Sequence, residues 1–259
     1  MKRPKDVIQL ELPAVRQVPP RRGGARPGAG RTPKNAGARP KVSHRCRPAH
    51  KSRHPVHVTM RGARGMPSFR SQLVAKRLKD ALWRQARCSY GRQFQVLHFS
   101  IQKDHLHLIV EATVGGAGAA ADGAARDMLR RGVSGLAISL ARRLNRALGR
   151  RGKVWGDRHH RRDLASPSEV RGTLLYVLEN HLRHGAIALG DGIVDVYSSA
   201  LRFDGWAEPH VTVIETEPWP TSLPRTWLLA TGWLRAGGKF ETWAVPAGAR
   251  RRSYQDVPM

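Results

Sequence analysis

Apolar and polar positions change period along this chain, and those changes mark out its elements. From His54 to Arg61, Val56, Val58 and Met60 alternate with polar residues, which predicts a first strand ended by Gly62 and Gly65. From Ser68 to about Ser89 the period lengthens. Val74, Leu78, Ala81, Leu82 and Gln85 recur at helical spacing opposite Lys76, Arg77 and Lys79, with Ser68 as the expected N-cap. Two β-branched, apolar runs follow, near 93–101 and 105–112, and the turn-like Gln102-Lys103-Asp104 between them predicts a hairpin. Residues 114–125, rich in Gly and Ala, are expected to be a flexible loop. Leu129, Val133, Leu136, Leu140, Leu144 and Leu148 then form the stripe of a long helix from about Ala125 to Arg150. Residues 153–164 are expected to run extended beside the sheet. Ser166-Pro167-Ser168-Glu169 is a capping box that starts a last helix, running to about His184 and stopped by Gly185. The order of elements predicts an α+β fold, a ferredoxin-like antiparallel sheet with helices on one face.

Composition divides the chain into three parts. Residues 1–52 are rich in Pro, Gly and Arg without apolar periodicity and are expected to be a disordered basic arm. Residues 53–190 hold the periodic elements. After 190 acidic residues and tryptophans appear, which reads as an accessory segment of packing or self-association. The net charge of +27 comes mostly from Arg, whose planar fork suits phosphate, so nucleic acid is the expected partner. The balance is +13 over 1–53, +15 over 54–190 and −1 thereafter, so the interface belongs to the first two parts. No long apolar span or secretory h-region is present, and Cys46 and Cys88 are too few and too unlike for a disulfide scaffold or thiolate site, which fits a reducing cytoplasm.

Several arginines are candidate phosphate contacts. Arg26 and Arg31 lie in a Gly/Pro-flanked stretch that resembles an AT-hook, with Thr32 interrupting its core. Arg61 ends the first strand. Arg142, Arg143 and Arg146 crowd the polar faces of the long helix, and Arg158, Arg161 and Arg162 fill the extended segment after it. Each group also has the ordinary reading of solvated surface charge.

In the second strand of the hairpin, His105 and His107 point to one face while Leu106 and Leu108 point to the other. Two imidazoles so placed can chelate a metal, or simply mark the wet face of an antiparallel strand. Alternation sets Asp104 on the opposite side. A histidine-triad nucleotide hydrolase would need a third alternating His, and position 109 is Ile. Tyr176 and Asn180, spaced i, i+4, share a flank of the last helix about a third of a turn from its buried centre.

Taken together, His57-Val58-Thr59-Met60-Arg61-Gly62, Asp104-His105-Leu106-His107-Leu108, Val154-Trp155-Gly156-Asp157-Arg158 and Leu175-Tyr176-Val177-Leu178-Glu179-Asn180 resemble the single-tyrosine transposases of the HUH endonuclease superfamily, REP-associated branch, over residues 53–185. The resemblance implies that Tyr176 is a nucleophile toward single-stranded DNA, in a hairpin or repeat, and that His105, His107 and Asn180 hold Mg²⁺ or Mn²⁺. It also implies a homodimer at the nucleoid. Asn180-His181 departs from the family's frequent Asn-Pro. The alternative is a hairpin-binding protein that keeps the fold without the chemistry.

Overall fold

A computed structural model describes residues 47–87, 93–116, 118–180, 194–207, 220–242 and 244. The expected arm, including Arg26 and Arg31, lies outside them up to residue 46. So do Trp219, Trp243 and residues 181–190.

The alternating run of Val56, Val58 and Met60 forms β1 (Val56–Arg61), with alternate residues buried. The helical stripe after it forms α1 (Gln72–Arg87), and the hairpin forms β2 (Phe94–Ile101) and β3 (His105–Ala112). Next come α2 (Ala119–Ala147), a short β4 (His160–Asp163) and α3 (Pro167–Leu178). The sheet order is β2-β3-β1-β4, with every neighbouring pair antiparallel. With α1 and α2 as the crossovers, this is the expected ferredoxin-like α+β arrangement.

Alternation sends Val56, Val58, Met60, Leu106, Leu108 and Val110 to the face covered by α1 and α2. There they meet Val74, Leu78, Leu82, Val133, Leu136 and Leu140 in one buried core. Gly132 lets α2 approach this face, because a Cβ there would lie 2.2 Å from the ring of Phe94. The opposite face is covered as well. Leu97, Ile109 and Leu164 pack there against Val170, Leu174 and Val177 of α3 and against residues from 194 onward. This second core includes the rings of Phe203, Trp206, Trp233 and Phe240, whose neighbouring centroids lie 5.1 to 6.2 Å apart. Glu111, fully buried on this face, accepts from the backbone N–H of Arg225 (2.8 Å) and Thr226 (3.1 Å) and from the Thr226 hydroxyl (2.6 Å). It thereby anchors the start of α4 (Trp227–Ala230) to the sheet.

Four boundaries differ from the sequence expectation. The last helix, α3, ends at Leu178 with Glu179 as its C-cap, short of the expected His184. α1 starts at Gln72, with Ser68 lying in the preceding turn. α2 starts at Ala119, inside the expected loop, because alanine is the best helix former and Ala121 and Ala125 are buried. Residues 47–52, placed in the arm, are tied to the domain: His50 Nδ1 lies 2.6 Å from Asp163, and Ser52 donates to Asp122 at 2.8 Å. The N-cap of α3 forms as expected, Ser166 Oγ accepting from Glu169 N at 3.2 Å with Pro167 in the first turn; Glu169 accepts one residue before the cap, from Ala165 N at 2.8 Å.

Candidate active site

The alternation that buries Val58 and Leu108 on one face turns polar residues to the other. β1 contributes His57, Thr59 and Arg61, β3 contributes His105 and His107, and β4 contributes His160 and Arg162. The register sets Thr59 between His107 and His160, places Arg61 beside His105, and places His57 beside Arg162. α3 closes one side with Ser168, Gly172 and Tyr176, each a helical turn apart, and with Glu169 and Thr173. Together these residues line an open cleft of about 860 Å³.

Inside it the histidines are locked together. His57 Nε2 lies 3.0 Å from His107 Nδ1, and Thr59 Oγ1 lies 3.1 Å from the same atom. His105 Nδ1 lies 2.6 Å from Asp104 Oδ1. The rings of His105 and His107 stand nearly perpendicular, with centroids 4.7 Å apart. Tyr176 meets His107 edge to face at 5.1 Å and His57 at 5.8 Å. Burial, and then the charges of His160 and Arg162, push the His57 imidazole down to about 4, so it is neutral near pH 7. Arg162 donates to Glu169 at 2.6 Å and, with the Ala165 N–H, holds that carboxyl below its ordinary range.

Asp104 therefore stands beside His105 instead of opposite it. It belongs to the turn before β3, where strand alternation does not apply. The carboxylate–imidazole pair is the arrangement that orients a metal-binding histidine through its far ring nitrogen. For both His105 and His107, Nδ1 is engaged by the protein and Nε2 is the atom through which a metal would bind. On this observation the two histidines fit a divalent ion. Among the described residues, no group of three or more His, Cys, Asp or Glu side chains is arranged to hold one, so a third protein ligand would have to be of another type.

Of the residues singled out by sequence, the cleft gathers His105, His107, Tyr176, Arg61 and Arg162. Asn180 is not among its lining residues. It is fully buried just beyond α3, and neither Oδ1 nor Nδ2 has a hydrogen-bond partner among the described residues. Arg161, expected at a DNA interface, is turned away from the cleft by the same alternation that turns Arg162 into it. Its guanidinium is held by Asp163 (3.2 Å) and the Pro48 carbonyl (2.7 Å), leaving the side chain only 7% exposed. Arg158 is partly buried before β4. Arg142, Arg143 and Arg146 lie on α2, the helix that packs against the other face of the sheet.

Seven cleft residues, His57, Thr59, His160, Ser168, Glu169, Gly172 and Thr173, are not singled out as site residues by sequence. The polar half of β1's alternation held the signal for the first two. That half becomes informative only once β1 is known to lie between β3 and β4.

No protein-family model matches the chain, and no curated protein sequence matches it significantly. In structure it is similar to a REP-associated tyrosine transposase bound to a REP hairpin, at 17% identity and a TM-score of 0.40, over 55% of this chain and 75% of that one. It is also similar to a bacterial tRNA(His) guanylyltransferase-like protein in complex with ATP, at 13% identity and a TM-score of 0.35, over 51% of this chain and 61% of that one. No helix among the described residues is long and apolar enough to cross a membrane.

Proposed function

We propose that the cleft cuts and rejoins single-stranded DNA, with Tyr176 as the nucleophile. The observation that carries this is convergence. A tyrosine from α3 and a histidine pair from β3 line one cleft open to solvent, with the rings of Tyr176 and His107 in contact. In the reaction the phenol loses its proton and its oxygen forms a bond to phosphorus. The P–O3′ bond breaks, and the departing 3′ oxygen takes up a proton. The products are a 5′-phosphotyrosine and a free 3′-OH, and reversal on a new end needs no nucleotide cofactor. Arg61 and Arg162 line the cleft where they offset phosphate charge.

His105 and His107 would hold a divalent ion, Mn²⁺ being favoured over Mg²⁺ by nitrogen ligands. Bound there, such an ion supplies Lewis-acid stabilisation of the phosphate. Asn180 is the proposed third donor. It follows Tyr176 by four residues, just past the end of α3, with an amide whose burial without a partner costs about 1–3 kcal/mol, which coordination would offset. A second reading, a hairpin-binding protein without the chemistry, is favoured by one observation: Asn180 does not line the cleft.

A denaturing gel separates the two. The protein and its Tyr176→Phe variant are incubated with Mn²⁺ and 3′-labelled single strands and hairpins. A labelled adduct that survives denaturation and appears only with Tyr176 is the expected result. Tight binding with no adduct from either protein supports the binding module, and an adduct from both proteins excludes Tyr176 as the nucleophile.

A further inference from the structure

We propose that the outer face of α2 is a second nucleic-acid site, one that takes the phosphate backbone of duplex DNA on the opposite side of the sheet from the cleft. Residues 135, 138, 139, 142, 143 and 146 recur at helical spacing and line a groove of about 320 Å³. The other side of the same helix buries Leu136, Leu140 and Leu144 in the first core, so the groove is held rigidly and faces outward. Among the described residues, no acidic side chain pairs with Arg142, Arg143 or Arg146. The Arg143 Nε is buried without a hydrogen-bond partner. Arg70, Arg161 and Arg162, by contrast, are each paired with a carboxylate, from Asp195, Asp163 and Glu169. Three neighbouring guanidiniums on one face, without counter-charge from the described residues, give that face a positive potential that attracts a polyanion.

The lining also decides which form of nucleic acid fits. Sites for single strands combine basic charge with aromatic platforms on which bases stack. No aromatic residue lines this groove, which consists of three arginines with Gly135, Ile138 and Ser139. Such a surface meets the backbone of a duplex without touching its bases. The cleft has the opposite character, with Tyr176 and four histidines in its walls.

The chain also links the two sites. Between 150 and 158 it carries Arg150, Arg151, Lys153 and Arg158 against the single acid Asp157. The indole of Trp155 donates to the Ala137 carbonyl at 2.9 Å and ties this segment to α2. The segment then runs into β4, the edge strand that carries Arg162 into the cleft. A duplex on α2 would thus be joined to the cleft by a basic path around the β4 edge.

The inference does not depend on chemistry in the cleft, so it is tested by binding, on full-length protein carrying Tyr176→Phe. Anisotropy titrations against a short blunt duplex and an unstructured single strand of equal length are run across a salt series. Two further changes are compared: the triple change Arg142→Ala, Arg143→Ala and Arg146→Ala, and Gly135→Glu alone. No atom lies within 4 Å of a Cβ placed at Gly135, so the glutamate enters the groove without disturbing the core. With the triple change, duplex affinity is expected to fall at least about tenfold. The slope of log affinity against log salt should become shallower by about 2 to 3, and the duplex-to-single-strand affinity ratio should fall at least about fivefold. Gly135→Glu should lower the same ratio. Equal losses for duplex and single strand would show diffuse charge instead of a duplex site and overturn the proposal. So would duplex affinity within about twofold of the parent in both variants.

Discussion

The two faces of the sheet are made from the same strands, yet they do different work. On the α1/α2 face every inward position of β1 and β3 is apolar, from Val56, Val58 and Met60 to Leu106, Leu108 and Val110, and all are buried. On the other face Ile109 joins an apolar core at one end, while His57, Thr59, His105 and His107 gather at the other. His105 and His107 are nearly as buried as the leucines beside them, at 5% and 3% exposure. Burying an imidazole costs free energy unless its nitrogens find partners, and folding alone would be served better by apolar residues there. The difference separates the half of the sheet that holds the domain together from the half that holds the polar side chains of the cleft in place.

Adjacent residues on β3 break that comparison most sharply. Leu108→Ala leaves a cavity in the first core and is expected to cost about 2–5 kcal/mol of stability, read by denaturant unfolding. His107→Ala removes a buried imidazole from the cleft wall and leaves His57 and Thr59 without that partner, a cost of about 1–3 kcal/mol. It should also lower Tyr176 adduct formation by about a thousandfold. If adduct formation is unchanged in His107→Ala, the second face is an ordinary core and the histidines are structural.

The residues responsible also explain what the sequence makes legible. Alternation within a strand is a local property, so the apolar half of β1, the His105/His107 pair and the N-cap at Ser166 are visible from sequence alone. The stripe that buries α2 is equally plain, although the poly-alanine start of that helix reads as a loop because Gly neighbours mask its propensity. Contact between strands is not local. His57 and Thr59 become site residues only because β1 is inserted between β3 and β4. Arg161 and Arg162 look alike until the register of β4 assigns them to opposite faces. The role of Trp206 and Trp233 in closing the second face is long-range in the same way.

A smaller effect is expected at His57, which touches His107 across the strand pair. For Nε2 of His107 to be free for a metal, its Nδ1 must carry the proton and donate to His57 Nε2 at 3.0 Å or Thr59 Oγ1 at 3.1 Å. His57→Leu keeps the bulk and removes that partner. Mn²⁺ affinity, measured by calorimetry, should then weaken about 10–100-fold. In ¹⁵N spectra of the metal-free protein, His107 should show a larger share of the Nε2-protonated tautomer. An unchanged tautomer ratio would mean that Thr59 alone orients the ring.

The smallest effect sharpens the comparison away from the cleft, where the second face is core. His98 is half-buried on β2 with Nδ1 3.2 Å from Ser199 Oγ and its ring edge-on to Phe203 at 5.5 Å. Burial alone pushes its imidazole down to about 4, from an ordinary value near 6.5. Between those values the unfolded chain holds a proton that the folded protein refuses. The resulting contribution to stability is complete above pH 6.5, is lost as pH falls toward 4, and changes no further below that. Between pH 7 and pH 5 the loss from this one group is about 2 kcal/mol. His98→Asn keeps a polar atom facing Ser199 and has no proton to gain. Its unfolding free energy should therefore fall by about that much less than the wild type's over the same interval, after allowance for any constant offset at pH 7. Parallel pH curves for the two proteins would mean that His98 accepts its proton in the folded state, and that the second core is open to water at this strand.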